Sequence, residues 1–276
     1  MTQLKEVFTF SNGLEIPAIG LGTWQMSSEE AEQMTAYALN NGYIHIDTAR
    51  TYGNEEGVGK GMKASGVNRE DFFLTTKVSA FSKTYDEAKK DIEDSLTALD
   101  TEYLDLVIIH APRPWDKMHS DGPIEKLYFE ENLQVWRALE EAYEAGKVKA
   151  IGVSNFEIED LVNLLENVKI KPMLNQIKYH IGFRDEQLVQ YCQENDIIVE
   201  AYSPIGTGKL LNNPDIQKIA DKYNKSTAQI AIRYCYQKGL VVLPKSVHEE
   251  YVDNNADLDF EILAGDMDYL NRLVIN

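Results

Sequence analysis

The sequence predicts an α/β chain of the (β/α)8 TIM-barrel class, with an N-terminal β-hairpin closing the barrel bottom. Three observations predict it. The chain has 276 residues, close to the roughly 250 of an ordinary (β/α)8 unit, so one domain over 1–276 is expected. Short runs rich in β-branched and aromatic residues alternate with helical patterns, and the alternation counts out to about eight units, which suits a closed barrel better than an open sheet. Almost every run ends on a polar residue.

The hairpin is Phe8-Thr9-Phe10, then Ser11-Asn12-Gly13, then Leu14-Glu15-Ile16. Asn-Gly predicts a type I′ turn, because both central residues of that turn need positive φ. The barrel strands are expected over 18–21, 43–46, 72–76, 104–109, 150–153, 173–176, 197–201 and 240–243. Several are almost wholly apolar, as strands covered on both faces should be. Between them, Ser27-x-x-Glu30, Thr84-x-x-Glu87 and Ser226-x-x-Gln229 are capping boxes that satisfy unpaired N–H groups at a helix start. Gly42, Gly146 and Gly239 stand where a left-handed residue ends a helix. Ile92, Leu96 and Leu99, and then Leu133, Trp136, Leu139 and Tyr143, repeat at helical spacing and read as core stripes.

Composition is that of a globular chain, 43% hydrophobic and 26% charged, long enough to bury a core without disulfides or metals. The two cysteines, Cys192 and Cys235, fall in helical patterns and read as neutral buried thiols, which fits a reducing, cytoplasmic compartment. The net charge of −18 argues against affinity for nucleic acid or anionic membrane, and it requires any anionic ligand to be held by locally placed donors. The opening MTQLKEVFTF carries no long apolar run, so neither signal peptide nor anchor is expected. His45, His110, His119, His180 and His248 show no metal-ligand spacing, and no metal is predicted.

Catalytic groups of such barrels sit at the C-terminal strand ends. Those positions hold Asp47, Lys77, His110, Ser154 with Asn155, Gln176, Tyr202, and Lys245 with Ser246. Each has a bland reading when taken alone. Asp47 and Lys77 could form a structural ion pair, His110 could be a satisfied core histidine, Tyr202 could be core or rim, and Ser154-Asn155 could cap a helix. Placed on successive strand ends, they describe a polar site at one mouth.

Asp47-Thr48-Ala49-Arg50-Thr51-Tyr52-Gly53-Asn54-Glu55 resembles the D-x-A-x-x-Y-G-N-E signature of the aldo-keto reductases, of the bacterial type similar to the 2,5-diketo-D-gluconate reductases. Gly20-Leu21-Gly22-Thr23-Trp24, Thr76-Lys77, Ile108-Ile109-His110, Gly152-Val153-Ser154-Asn155-Phe156, Asn175-Gln176, Ala201-Tyr202-Ser203-Pro204 and Leu243-Pro244-Lys245-Ser246 extend the resemblance over nearly the whole chain. It implies a nicotinamide-dependent reductase of aldehydes, ketones or dicarbonyls, working as a monomer on a small-molecule substrate, in either direction. Tyr52 would be the general acid. Its free phenol, with a pKa of about 10, would be made more acidic by the Lys77 cation at hydrogen-bond distance. Asp47 would hold that ammonium, and His110 would orient the carbonyl as a neutral donor. Ser154, Asn155 and Gln176 would bracket the nicotinamide carboxamide, with Tyr202 stacked on its ring. Ser203, Ile205, Gly206, Lys245, Ser246, Val247, Tyr251 and Asn255 would complete the cofactor site. Gly20-x-Gly22 is followed by Thr-Trp-Gln, so the Rossmann fingerprint is not met.

The chain also departs from the family. Relatives commonly place an Arg six residues beyond the strand-end Lys, where it grips the 2′-phosphate of NADP; here that residue is Tyr251, with Asn254 in place of the usual Glu or Gln. NADPH remains the first cofactor expected. A missing charge-assisted contact is worth about 1.5–3 kcal/mol, roughly ten- to a hundredfold, so measurable NADH use is expected as well. Where many relatives carry Trp two residues after the Lys and directly after the His, this chain has Ser79 and Ala111. A wider pocket is therefore expected, walled by Trp24 and by Trp115 from the loop 112–123. The chain ends soon after its last helical pattern, so a long C-terminal specificity loop is expected to be absent. Two other readings stay open: a nicotinamide-binding regulatory protein like the β-subunits of potassium channels, and a barrel lyase or aldolase with Lys77 as Schiff-base nucleophile.

Overall fold

Ala18 and Val242 close the barrel. In the computed structural model, which describes residues 3–118 and 126–275, Val242 N–H donates to Ala18 O at 2.8 Å, and Gly20 N–H donates back to Val242 O at 3.0 Å. The strands so joined are the first and last of eight parallel ones. After the hairpin strands β1 (Val7–Thr9) and β2 (Glu15–Pro17), these are β3 (Leu21–Gly22), β4 (His45–Asp47), β5 (Phe73–Val78), β6 (Leu104–Ile109), β7 (Val148–Ser154), β8 (Leu174–Lys178), β9 (Ile198–Tyr202) and β10 (Val241–Leu243). Each overlaps or adjoins the run expected for it.

The helices include α1 (Ser28–Asn40), α2 (Glu55–Ser65), α3 (Tyr85–Ala98), α4 (Trp115–Met118), α5 (Phe129–Glu144) and α6 (Ile158–Asn167). They continue with α7 (Glu186–Glu194), α8 (Pro214–Tyr223), α9 (Thr227–Gln237), α10 (Glu249–Ala256) and α11 (Ala264–Arg272). All three capping boxes form, at the starts of α1, α3 and α9. Gly42, Gly146 and Gly239 take positive φ after α1, α5 and α9. Cys192 and Cys235 are free and buried. Among the described residues no helix is long and apolar enough to cross a membrane.

The hairpin turn corrects the expectation. Gly13 has φ +86° and Asn12 is not among the residues of positive φ, so the turn is not type I′. Gly13 N–H bonds Phe10 O at 2.9 Å, and Phe10 N–H bonds Leu14 O at 2.8 Å, which makes a three-residue loop with glycine at its left-handed position. Asn12 has another use. Its Oδ1 accepts from Leu14 N–H at 3.0 Å and its Nδ2 donates to Lys149 O at 2.9 Å, tying the loop to β7.

Strand alternation sorts the core into two parts. Ile46, Leu74, Val107, Ile109, Ile151, Val153 and Val242 pack outward with helix residues such as Ile92, Trp136 and Leu139. Phe73, Leu106, Ile108, Ala150, Leu174 and Val241 form a separate inner cluster with Phe10 and Ile16 of the hairpin. The Phe10 and Phe73 rings lie 6.3 Å apart, so the hairpin plugs the barrel bottom. Two residues further along the same inward parity, the interior turns polar, with Thr75, Gln176 and Glu200 buried. That change of character above an apolar plug positions the site.

Candidate active site

Asp47 and Lys77, the inward residues near the ends of β4 and β5, form a buried ion pair. Lys77 Nζ donates to Asp47 Oδ1 at 2.6 Å, to Asp47 Oδ2 at 2.7 Å and to Thr48 O at 2.8 Å. Desolvating two charges is costly unless their remaining positions are bonded. Here the ammonium has three acceptors, and Asp47 Oδ2 accepts a further bond from Gln176 Nε2 at 2.9 Å.

Tyr52 closes a short turn, Arg50–Tyr52, after which Gly53 at φ +68° leads the chain into α2. The remainder of the signature string anchors this turn. Asn54 Nδ2 donates to Thr23 O at 2.9 Å and to Met26 O at 3.0 Å, and its Oδ1 accepts from Thr48 Oγ1 at 3.1 Å. Glu55 accepts from Thr76 Oγ1 at 2.6 Å and from Arg50 at 3.1 Å. The Tyr52 ring stands edge-on to His110, centroids 5.5 Å apart, with Lys77 Nζ 5.0 Å from the ring centroid.

The expectation of an acidified phenol is corrected. Burial pushes the Tyr52 hydroxyl well above its ordinary value, and the negative charge of Asp47 adds to this. The Lys77 ammonium is committed to Asp47 and Thr48 O, so its charge is already balanced. The phenol therefore stays protonated, which is the state a proton donor must start from.

His110 follows β6 and is fastened on both sides. Its N–H bonds Val78 O at 3.1 Å, its carbonyl accepts from Asn155 Nδ2 at 3.0 Å, and its Nδ1 lies 3.1 Å from Thr51 Oγ1. Trp115 packs against it edge to face at 5.0 Å. Burial, with the nearby Lys77 charge, holds the imidazole well below its ordinary pKa, so it is neutral as expected.

Ser154, Asn155, Gln176 and Tyr202 form one linked group. Ser154 Oγ donates to Gln176 O at 2.8 Å and accepts from Asn155 Nδ2 at 2.9 Å. Tyr202 OH donates to Asn155 Oδ1 at 2.8 Å. Asn155 takes φ +59°, a left-handed conformation that Asn tolerates. These residues do not cap α6; Glu157 does so, in a capping box with Asp160.

A cavity of about 850 Å³ opens at this mouth. Of the residues expected at the site, Trp24, Asp47, Tyr52, His110, Trp115, Ser154, Asn155, Gln176, Tyr202, Ser203, Ile205 and Lys245 line it, and Lys77 lies behind Asp47. Two substrate-contact expectations are corrected, because neither Ser79 nor Ala111 is in the wall. Ser79 is turned into its own loop, its Oγ accepting from Phe81 N–H at 3.1 Å and its N–H donating to Asp91 at 3.0 Å. Ala111 is buried, and its carbonyl accepts from Lys83 Nζ at 2.9 Å. Phe81, 57% exposed, is in the wall instead. Gly206, Ser246, Val247, Tyr251 and Asn255 lie outside this wall, Gly206 in the turn after β9, Ser246 and Val247 just after Lys245, and Tyr251 and Asn255 on α10. Ser246 Oγ accepts from His248 N–H at 3.0 Å, and Tyr251, 55% exposed, stands edge-on to His248 at 5.4 Å. Residues 119–123 of the Trp115 loop lie outside the described residues.

Sequence reasoning missed Thr51, Phe81 and Glu200. Thr51 sits inside the signature string at an unspecified position. Phe81 lies two residues beyond Ser79, and Glu200 shares inward parity with Tyr202 on β9.

The donors and acceptors left over fit a nicotinamide cofactor. Gln176 faces the cavity, and among the described residues its Oε1 has no protein donor, so it can accept from a carboxamide N–H. Lys245 also lines the cavity and forms no ion pair among the described residues, so a cation is available for a phosphate.

Comparison with known proteins agrees. A model described as the Aldo/keto reductase family matches residues 18–275. Glyoxal reductase of Bacillus subtilis (strain 168) is 42% identical over 274 residues, spanning 99% of this chain and 94% of that one. The crystal structure of an aldo/keto reductase from Brucella melitensis matches with a TM-score of 0.88 at 39% identity, over 96% of this chain and 98% of that one. The structure of a Bombyx mori aldo-keto reductase in complex with NADP matches with a TM-score of 0.86 at 33% identity, over 96% of this chain and 92% of that one.

Proposed function

The chain belongs to the aldo/keto reductase family, and from that premise we propose that it reduces small-molecule carbonyl groups to alcohols with NADPH. One observation carries this reading: Tyr52, His110 and the Asp47–Lys77 pair converge on a single cavity. When bound, the cofactor supplies hydride to the carbonyl carbon.

The protein's own residues do the rest. Tyr52 donates its phenolic proton to the carbonyl oxygen as negative charge develops there. The Lys77 ammonium, 5.0 Å from the ring centroid and held there by Asp47, is the cation that faces the phenolate this leaves. His110, neutral, orients the carbonyl by donating from its second ring nitrogen. Gln176 Oε1 would accept from the nicotinamide carboxamide and Tyr202 would stack on its ring, with the Tyr202 hydroxyl kept on Asn155 Oδ1. Lys245 takes a phosphate. Because Tyr251 replaces the phosphate-gripping arginine, NADH serves as a second, weaker cofactor.

The rim supports broad carbonyl acceptance. Trp24 and Phe81 are 44% and 57% exposed, so the aromatic wall is open, not a closed sleeve. The B. subtilis relative is named for glyoxal, which puts dicarbonyls first among substrates to test. The test is oxidation of NADPH and NADH followed against aldehydes, ketones, dicarbonyls and sugars, repeated on Tyr52→Phe. Turnover with at least one carbonyl, falling a hundredfold or more in the variant, is expected; near-normal turnover of Tyr52→Phe would overthrow the reading.

A further inference from the structure

Glu200 is a buried acid that the mechanism above does not use. It lies on β9 two residues before Tyr202, in register beside Gln176 of β8, and no solvent reaches it. Val241 of β10 stands in register on its other side and Leu174 lies two residues below Gln176, both in the apolar inner cluster, and an aliphatic side chain here would extend that cluster. A buried carboxyl is costly unless its bonds repay the lost hydration. Yet one of its oxygens, Oε1, is buried without a hydrogen-bond partner and lies 3.9 Å from His45 Nε2. The other, Oε2, accepts from Gln176 Nε2 at 2.7 Å.

That bond completes a constraint. Gln176 Nε2 also donates to Asp47 Oδ2 at 2.9 Å, so both of its N–H groups are consumed by two carboxyl groups. Turning the carboxamide over would set Gln176 Oε1 against Asp47 Oδ2 and give up the bonds that Nε2 makes to both carboxyl groups. Asp47 alone could not hold it so firmly. Its Oδ2 is shared with Lys77, and a side-chain amide fixed by one bond can still rotate.

We propose that Glu200 is a positioning residue that, through Gln176 Nε2, locks the Gln176 carboxamide with Oε1 facing the cavity, where it accepts from the carboxamide of a nicotinamide cofactor. The inference rests on the cofactor reading given above. Burial pushes the carboxyl up to about 8, so near neutrality Glu200 adds no second negative charge beside Asp47.

The test is calorimetric binding of NADP+ and of adenosine 2′,5′-bisphosphate, which lacks the nicotinamide, to wild type, Glu200→Leu and Glu200→Gln. Glu200→Leu is expected to weaken NADP+ about tenfold, equivalent to about 1.4 kcal/mol, and to leave the bisphosphate within twofold. Glu200→Gln keeps an acceptor for Gln176 Nε2 and restores NADP+ binding. Equal loss for both ligands, no loss for either, or no restoration by Gln overturns the proposal. If the Leu variant does not fold, the side-chain amide of Gln176 in the wild type decides. Two distinct, slowly exchanging protons are expected by NMR, and rapid exchange overturns it. A wild type that binds neither ligand refutes the cofactor reading itself, a different result from intact binding that is indifferent to Glu200.

Discussion

Thr51 Oγ1 and His110 Nδ1 lie 3.1 Å apart. A neutral imidazole carries a proton on one nitrogen only, and the bond made by the other sets which. A Thr51 hydroxyl that donates to Nδ1 leaves the proton on Nε2, the nitrogen proposed to donate to the substrate carbonyl. Thr51→Val keeps the shape and removes the donor, and one hydrogen bond of this kind is worth about 0.5–1.5 kcal/mol. A fall in kcat of roughly three- to tenfold is expected, with Thr51→Ser restoring it. Nitrogen-15 shifts of His110 give the tautomer directly. A wild-type Nδ1–H form would contradict the assignment.

The buried Glu200 and His45 give stability a readable pH dependence. Glu200 is raised from 4.5 to about 8 by burial, so between these values the folded state holds a proton that the unfolded state has lost. Its contribution is full below 4.5 and is lost as pH rises towards 8. His45 is lowered by burial from 6.5 to about 3, so its contribution is present above 6.5 and is lost as pH falls. The two oppose each other in mildly acidic solution, and above 6.5 Glu200 acts alone of the pair. From pH 6.5 to 8, Glu200 is therefore expected to lower unfolding free energy by up to about 1.4 kcal/mol per pH unit. Denaturant melts of wild type and Glu200→Gln should differ by that slope; parallel curves would show that Glu200 does not hold the proton.

Much of this site could be read from the chain because inward strand parity and strand ends are periodic features. Asp47, Lys77, His110, Ser154, Gln176 and Tyr202 each close an apolar run, and the barrel brings them together. What could not be read depends on loop direction. Ser79 and Ala111 follow strands, but the chain turns there, so a hydrogen bond to Asp91 and another to Lys83 carry them out of the wall. The hairpin turn was missed for a similar reason, since Lys149, which holds Asn12, is distant in sequence. The pKa of Tyr52 went the other way because spacing shows that Lys77 is near but not that Asp47 has already claimed its charge.

Phe81 supplies an aromatic wall in a chain that lacks tryptophan at position 79. It is 57% exposed, so Phe81→Ala should fold normally, as substitutions at exposed sites usually do. Loss of one face of aromatic contact is worth about 1 kcal/mol. kcat/KM for aromatic aldehydes is therefore expected to fall about fivefold, with short aliphatic aldehydes unchanged. Equal losses on both classes would mean that Phe81 shapes the loop rather than touching substrate.

On the proposed cofactor reading, Tyr251 would govern the choice between phosphorylated and unphosphorylated cofactor. It stands on the first turn of α10, exposed and edge-on to His248, beyond the end of the cavity that Lys245 lines. A tyrosine there offers a ring face for adenine but no charge for a 2′-phosphate. Tyr251→Arg adds a planar guanidinium that can meet that phosphate with two parallel hydrogen bonds. Being exposed, the position has room for it. Fluorescence titration of each cofactor should show NADPH gaining roughly ten- to a hundredfold over NADH in the variant, the worth of one charge-assisted contact. The gain should shrink with added salt, because an exposed ion pair is screened. If the ratio does not move, the 2′-phosphate lies elsewhere, and Lys245 with Ser246 must carry phosphate recognition alone.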